Sequence, residues 1–167
     1  MELGSNLDPI LPPPEDPTVS VLVFEPLYSV AAQIPEVDRR HVVAAAVSDR
    51  SGLSMFTMYN DDGLSSSLAT VSVSDKWNSG RDTDGKRLIV PCVALKDVLQ
   101  DIPTATSIWV LKTDMQGFDF RTVQSVGSLI TRIPYLITEV SHDNFHSYDG
   151  LSNVSRVIPY QTGPFFC

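Results

Sequence analysis

The chain has few of the residues on which disulfide frameworks and thiolate metal sites depend. Only two cysteines occur among its 167 residues, Cys92 within an apolar run and Cys167 at the last position. Two thiols are too few for a disulfide framework or for a four-thiolate zinc site. We therefore expect both cysteines to be reduced, and we expect no metal site.

Clustered positive charge and long apolar runs are also lacking. Twelve Lys and Arg stand against twenty Asp and Glu, which gives a formal net charge of −8. Nucleic acid and anionic membranes require clustered basic residues, so neither is an expected partner. There is no run of about 18 apolar residues to cross a bilayer, and the first residues lack the basic-then-apolar order of a signal peptide. We expect a cytoplasmic protein, and the sequence leaves its oligomeric state open.

Short apolar clusters separated by Pro, Gly, Ser and Asp indicate one globular domain over residues 1–167. Near-continuous β-branched and apolar runs predict buried strands, and three- and four-residue spacing predicts helices between them. Strands are predicted at 19–24, 41–47, 53–59, 88–93, 107–114 and 135–140, and helices at 28–34, 94–99 and 120–130. Because Pro91 cannot donate to a ladder, we expect 88–93 to be an edge strand. This alternation favours a three-layer α/β fold with a mostly parallel, Rossmann-like sheet.

Acidic residues lie at the ends of three of the predicted strands, at Glu25, Asp114 and Glu139. Parallel α/β sheets bind ligands at the carboxyl ends of their strands, so these acids are candidates for a binding site. Glu25 also lies 21 positions after Gly4, close to the spacing between a glycine turn and the acid that holds a ribose. A cap on the turn before Pro26 explains Glu25 equally well, and the spacing alone leaves both interpretations open.

Several motifs occur in one order along the chain. They are Glu2-Leu3-Gly4-Ser5-Asn6-Leu7, Phe24-Glu25-Pro26, Ala45-Ala46-Val47-Ser48-Asp49, Leu64-Ser65-Ser66-Ser67-Leu68 and Lys112-Thr113-Asp114-Met115-Gln116-Gly117. With the strand at 135–140, this ordered set resembles the FkbM-type S-adenosylmethionine-dependent methyltransferases, over about residues 2 to 142. The resemblance implies a Rossmann-like methyltransferase sheet. It also implies methylation of a hydroxyl on a small molecule or sugar, which would be the partner of the protein.

The resemblance also implies roles for individual residues. The implied S-adenosylmethionine site consists of Glu2, Gly4, Ser5, Asn6, Glu25, Pro26, Ala46, Val47, Asp114 and Gln116. Gly4 would bring the backbone close to the methionine part of the cofactor, Glu25 would hold the ribose, and residues near Val47 would flank the adenine. Asp114, Glu139 and His142 are the catalytic candidates. We consider His142 a candidate base because it follows the strand end and histidine is the usual side chain for proton transfer near neutral pH.

The amino-terminal segment departs from the family pattern. Asp8 stands where the last glycine of the turn is usual, and prolines crowd residues 7–18, which we therefore expect to be a connection rather than the first helix. Only Met1 precedes Glu2, so we expect a shortened first strand.

Two departures concern the rest of the chain. Gln116 replaces the usual glutamate of its motif and cannot act as a base. The residues after Gly150 are little material for the last two strands of a complete sheet, and 60–86 is predicted to be a surface loop. The best-supported core is therefore 18–140.

Three alternatives follow from the same residues. A catalytically silent domain of this fold, used for binding or assembly, fits the proline segment and Gln116. His142-Asp143-Asn144-Phe145-His146 is similar to a zinc-protease motif, but it lies among turn-forming residues rather than on a helix. A nicotinamide dehydrogenase would need a complete glycine motif leading into a helix, which Leu7-Asp8-Pro9 does not provide.

Overall fold

The computed structural model of the chain describes residues 1–58, 66–68 and 85–138. The described strands are β1 (Glu2–Leu3), β2 (Val21–Phe24), β3 (Arg40–Val43), β4 (Ala46–Ser48), β5 (Gly52–Met58), β6 (Lys86–Ala94), β7 (Val110–Thr113) and β8 (Tyr135–Thr138). The described helices are α1 (Tyr28–Ala31), α2 (Leu95–Asp101), α3 (Asp119–Ser125) and a 3₁₀ helix (Gly127–Arg132). The expected surface loop lies almost wholly outside these residues, and so does the segment after Gly150.

Five parallel strands form the larger sheet, in the order β3-β2-β1-β7-β8. The chain moves outward from β1 to β3 and later resumes on the other side of β1 with β7 and β8. Strand order therefore reverses between β1 and β7, which is the point where α/β sheets bind their ligands. This sheet and its helices confirm the predicted mostly parallel, Rossmann-like α/β fold.

A second, three-stranded sheet has the order β4-β6-β5, and two predictions fail in it. The apolar run 41–47 is not one strand, because β3 ends at Val43 and β4 begins at Ala46 in the other sheet. A tight turn separates them, in which the Ala45 N–H donates to the Val43 carbonyl at 2.9 Å. Hydrophobicity is continuous across this turn, so an apolar run gives no sign of it.

Pro91 is the second failure, because β6 lies between β4 and β5 rather than at an edge. The pairing with β4 begins opposite Cys92, whereas Leu53 of β5 lies opposite Pro91. At Pro91 itself, β6 therefore has a neighbouring strand on one side only. The physical rule that proline avoids a doubly paired position holds locally, although the strand is central.

The larger sheet has one face covered by helices. Leu3, Phe24 and Leu111 project from this face and are almost fully buried in a cluster with Leu95 and Leu99 of α2. The predicted 120–130 helix is shorter than expected and continues as the 3₁₀ helix. The change falls at Gly127, whose φ is +56°. We call the side of the sheet that these helices cover the helix-covered face.

The opposite face is covered by the extended, proline-rich connection, and residues 4–20 contain no helix. The Arg39 guanidinium fixes this segment by donating to the carbonyl oxygens of Pro13, Asp16 and Val19, at 3.3, 2.5 and 2.9 Å. The absence of a helix from residues 4–20 confirms the prediction that this connection replaces the first helix. We call this side the segment-covered face.

None of the helices in the described part of the chain has the length and apolar character that crossing a bilayer requires. That the whole chain forms one domain stays a prediction.

Candidate functional site

A cavity of about 540 Å³ opens at the carboxyl ends of the strands, where both sheets contribute residues. Its volume lies in the range of small-molecule sites. The described residues that line it are Gly4, Ser5, Asn6, Leu7, Asp8, Phe24, Glu25, Pro26, Ala46, Val47, Phe56, Ser66, Leu68, Lys112, Asp114, Met115, Gln116 and Phe118. All but one of the residues in the predicted cofactor site are in this set.

Gly4 forms the floor of the cavity between β1 and β7. Its φ is +76°, and a Cβ at this position would lie 2.1 Å from the carbonyl oxygen of Asp114. The Gly4 N–H donates to the Phe24 carbonyl and the Asp114 N–H to the Leu3 carbonyl, both at 2.9 Å. Only glycine fits here, because any side chain would push the ends of β1 and β7 apart.

Glu25 lies at the end of β2 with only 5% of its surface exposed. Its Oε2 accepts the Asn6 N–H at 3.0 Å, and its Oε1 accepts the Leu27 N–H at 2.9 Å. Burial raises the pKa of this carboxyl, and the two N–H groups partly oppose the shift. Each carboxylate oxygen retains a further lone pair, so a turn-holding role and a ligand-binding role are compatible.

The glycine turn continues through Ser5 and Asn6. Asn6 has a φ of +49°, and its side-chain oxygen accepts the Leu7 N–H at 2.6 Å. An asparagine tolerates this left-handed conformation because its short polar side chain bonds locally. The turn thereby presents the Asn6 N–H to Glu25 without the helix that usually follows.

Asp114 and Gln116 form the wall at the end of β7. The Gln116 Nε2 donates to Asp114 Oδ1 at 2.9 Å, and the Gln116 φ of +51° turns the chain back before Gly117. Asp119, which is 2% exposed, holds this turn by accepting the Met115 N–H at 3.1 Å. Burial raises the pKa of Asp119, whereas hydrogen bonds from Thr113 and Met115 lower it.

Glu2 is the one predicted cofactor residue outside the lining. It is fully buried, and its Oε1 accepts a hydrogen bond from the Lys112 Nζ at 2.6 Å while its Oε2 accepts the Ile10 N–H at 2.6 Å. Both oxygens are thus engaged by the protein. The other two catalytic candidates, Glu139 and His142, lie outside the described residues, where their roles stay predictions.

Sequence reasoning missed the serine segment and Lys112 as parts of the site. The Ser67 hydroxyl donates to the Gln116 carbonyl at 2.7 Å, which ties this segment to the turn after β7. Ser66 is 8% exposed, and no hydrogen bond to its buried hydroxyl is found among the described residues. The strand alternation was a usable signal for Lys112, since it lies two positions before Asp114 and so on the same face of β7.

Metal binding finds no support in the described ranges, where no group of three or more His, Cys, Asp or Glu side chains could hold an ion. The zinc-protease-like segment at 142–146 lies outside those ranges. Three acids at or near the cavity are instead engaged by the protein: Glu25 by backbone N–H groups, Asp114 by Gln116, and Glu2 by Lys112 and the Ile10 N–H.

Comparison with known proteins agrees with this geometry. The sequence model of the methyltransferase FkbM domain matches residues 15–160, which is most of the chain. No curated protein and no solved structure matches it. The matched range begins after the glycine turn, yet that turn contacts Glu25 within it. The chain belongs to the FkbM methyltransferase family, whose members typically use S-adenosylmethionine.

Proposed function

We propose that the cavity binds S-adenosylmethionine and that the chain methylates a hydroxyl group on a small molecule or sugar. The hydrogen bond between Asn6 and Glu25 is the observation that carries the proposal. It joins the glycine turn to the acid at the end of β2. A bare backbone that a ligand can approach closely and a carboxylate that can hold a ribose therefore face one cavity. Both of these parts are needed to bind a nucleoside with a charged tail.

The charges of the lining favour the same ligand. Among the described residues it carries three carboxylates, from Asp8, Glu25 and Asp114, and one cation, from Lys112. S-adenosylmethionine has a sulfonium, an ammonium and a carboxylate, so it is a net cation with one anionic end. A cavity with an excess of negative charge attracts such a ligand, and a single positive group in it matches the anionic end.

The chemistry then requires alignment and one proton acceptor. When bound, the cofactor supplies a methyl group on a sulfonium; the acceptor oxygen takes the methyl, S-adenosylhomocysteine is released, and the hydroxyl proton goes to a base. Asp114 is our candidate base, because the residue lines the cavity with its backbone carbonyl beside Gly4, and its carboxylate is oriented by the Gln116 amide. The protein contributes mainly by holding the reactants in line.

Calorimetric titration with S-adenosylhomocysteine tests the binding step. We expect micromolar-range binding to the native chain and at least about tenfold weaker binding to Glu25→Ala, because two ribose hydroxyls would lose their acceptor. Glu36→Ala is the matched control, since Glu36 is exposed and does not line the cavity. Native-like affinity in Glu25→Ala would contradict the assignment of the ribose to Glu25.

A catalytically silent binding domain is the second candidate, and Gln116 is the observation that favours it. The side chain in the position of the usual glutamate is an amide that donates to Asp114 and cannot take a proton. No detectable heat with the native chain would leave this candidate alone. Binding of the cofactor product together with methyl transfer to an added acceptor would exclude it.

A further inference from the structure

Lys112 differs from every other described residue of the lining because it carries a positive charge. Its ammonium lies 2.6 Å from Glu2 Oε1, and 31% of its side chain is exposed, whereas Glu2 is completely buried. An ammonium has three N–H donors, and Glu2 takes one of them. The Lys112 ammonium is therefore held by a buried partner, and its two remaining N–H donors are accessible to a ligand.

Neighbouring strands fix the place of this ammonium. Lys112 of β7 is paired with Glu2 of β1, and the second oxygen of Glu2 is held by the Ile10 N–H at 2.6 Å. Glu2 therefore cannot turn away, and it holds the Lys112 side chain beside it. A flexible lysine usually binds weakly because its side chain loses conformational entropy on binding. Here Glu2 has already ordered the side chain before a ligand binds.

The strand order separates Lys112 from the ribose acid. Glu25 follows β2, Gly4 follows β1, Lys112 lies on β7 and Asp114 follows β7. These strands stand in the order β2-β1-β7, so a ligand that reaches from Glu25 to Lys112 crosses above Gly4. Two inter-strand spacings amount to roughly 10 Å, a distance on the scale of a nucleoside with an amino-acid tail. The cationic end of the cavity is thus the end away from the ribose.

We propose that Lys112, held in place by Glu2, binds the carboxylate at the amino-acid end of the cofactor. This inference rests on the proposed function, since it assumes a nucleoside bound at Glu25. It assigns to Glu2 a positioning role behind Lys112. Direct contact of Glu2 with the cofactor is not required, in keeping with its position outside the lining.

Ligands that differ only in the tail provide the test. S-adenosylhomocysteine has the amino-acid tail, its decarboxylated analogue lacks only the carboxylate, and 5′-methylthioadenosine lacks the whole amino-acid part. For the native chain we expect the decarboxylated analogue to bind about tenfold or more weakly than S-adenosylhomocysteine, because a charged hydrogen bond is lost. Equal affinities of these two ligands for the native chain would overturn the proposal.

Variants then locate the effect. Lys112→Met should lose about tenfold or more in affinity for S-adenosylhomocysteine while its affinity for 5′-methylthioadenosine is unchanged. Since Lys112→Met leaves Glu2 buried without its partner, the double variant Glu2→Gln/Lys112→Met, which removes both charges, is measured beside it. Equal losses for both ligands in the folded double variant, or no loss for either, would overturn the role of Lys112.

Failure of the proposed function has a different signature. In that case the native chain would bind neither S-adenosylhomocysteine nor 5′-methylthioadenosine, and the inference would fall with it. If the native chain binds both and Glu25→Ala weakens both, the proposed cofactor site holds. The response of Lys112→Met then decides the inference alone.

Discussion

The two faces of the five-stranded sheet solve the same packing problem in different ways. On the helix-covered face, Leu3 and Leu111 are completely buried beneath helical side chains. On the segment-covered face, an extended proline-rich chain lies over the ion pair of buried Glu2 and partly exposed Lys112, and Val42 and Ile137 are 36% and 42% exposed. The comparison teaches that the helix-covered face has the main apolar cluster, whereas the face without the first helix has a small one, of Val21, Val23 and Ile34, beside partly exposed apolar residues.

Buried acids show the same contrast. Glu2, on the segment-covered face, has a cationic partner in Lys112. Asp119, on the helix-covered side, has hydrogen bonds from the Met115 N–H and from Thr113. Glu2 is therefore balanced by a countercharge, whereas Asp119 is held by hydrogen-bond dipoles alone. Four substitutions test these differences.

Leu111→Ala should have the largest effect on stability. Leu111 is completely buried in the main apolar cluster, so truncation leaves a cavity and should lower the free energy of unfolding by about 2–5 kcal/mol. Val42→Ala is the control on the other face, where we expect a change below about 1 kcal/mol. Urea denaturation measures both. Similar losses at the two positions would mean that the faces are packed equally well.

Glu2→Gln should have the next largest effect. The amide keeps an acceptor for the Ile10 N–H but removes the charge beside Lys112, and we expect a loss of about 1.5–3 kcal/mol. Asp38→Asn is the matched control, because Asp38 is 92% exposed in its pair with Arg39 and such surface pairs contribute little. Unchanged stability of Glu2→Gln would show that the pair does not hold the segment-covered face together.

Much of the fold, and part of the candidate site, could be predicted from the sequence. Hydrophobic runs and the acids at strand ends predicted the parallel sheet and put Glu25 and Asp114 at its carboxyl edge, where both line the cavity. Their roles toward a ligand stay predictions. The break at Ala45 and the central position of Pro91 were not predictable, since each depends on which sheet a strand joins. That choice is made by tertiary packing, which leaves no mark on an apolar run.

The site itself shows the same limit. Gly4 was expected from its motif, but the reason only glycine fits is the Asp114 carbonyl, 110 positions further on, at 2.1 Å from a would-be Cβ. Likewise, Glu2 was expected to contact the cofactor, whereas its partner Lys112 is the residue that lines the cavity. Pairings between strands so distant in sequence cannot be derived from spacing.

Arg39→Lys should have a smaller effect, confined to the proline-rich segment. The planar guanidinium reaches three carbonyl groups, whereas an ammonium cannot span all of them, so we expect a loss of about 1 kcal/mol. Limited proteolysis should also cut within residues 7–18 faster than in the native chain. Arg87→Lys, at an exposed position on β6, should leave both measurements unchanged.

Asp119→Asn should have the smallest effect at any one pH, and its signature is the pH dependence of stability. Burial raises the pKa of Asp119 above the value of 3.8 expected in the unfolded chain, so between these two values the folded state binds the proton more tightly. The stability that this group contributes is therefore fully present below about pH 3.8 and is lost as the pH rises through the raised pKa.

Asparagine cannot ionise, but its Oδ1 can still accept the Met115 N–H. Across this window, the free energy of unfolding of the native chain should therefore fall relative to that of Asp119→Asn, and the difference should level off above it. Thermal unfolding of both proteins in a series of buffers measures the difference. A difference that does not change with pH would mean that Asp119 ionises as easily in the folded chain as in water. The helix-covered face would then accommodate a charge as well as the face that provides Lys112.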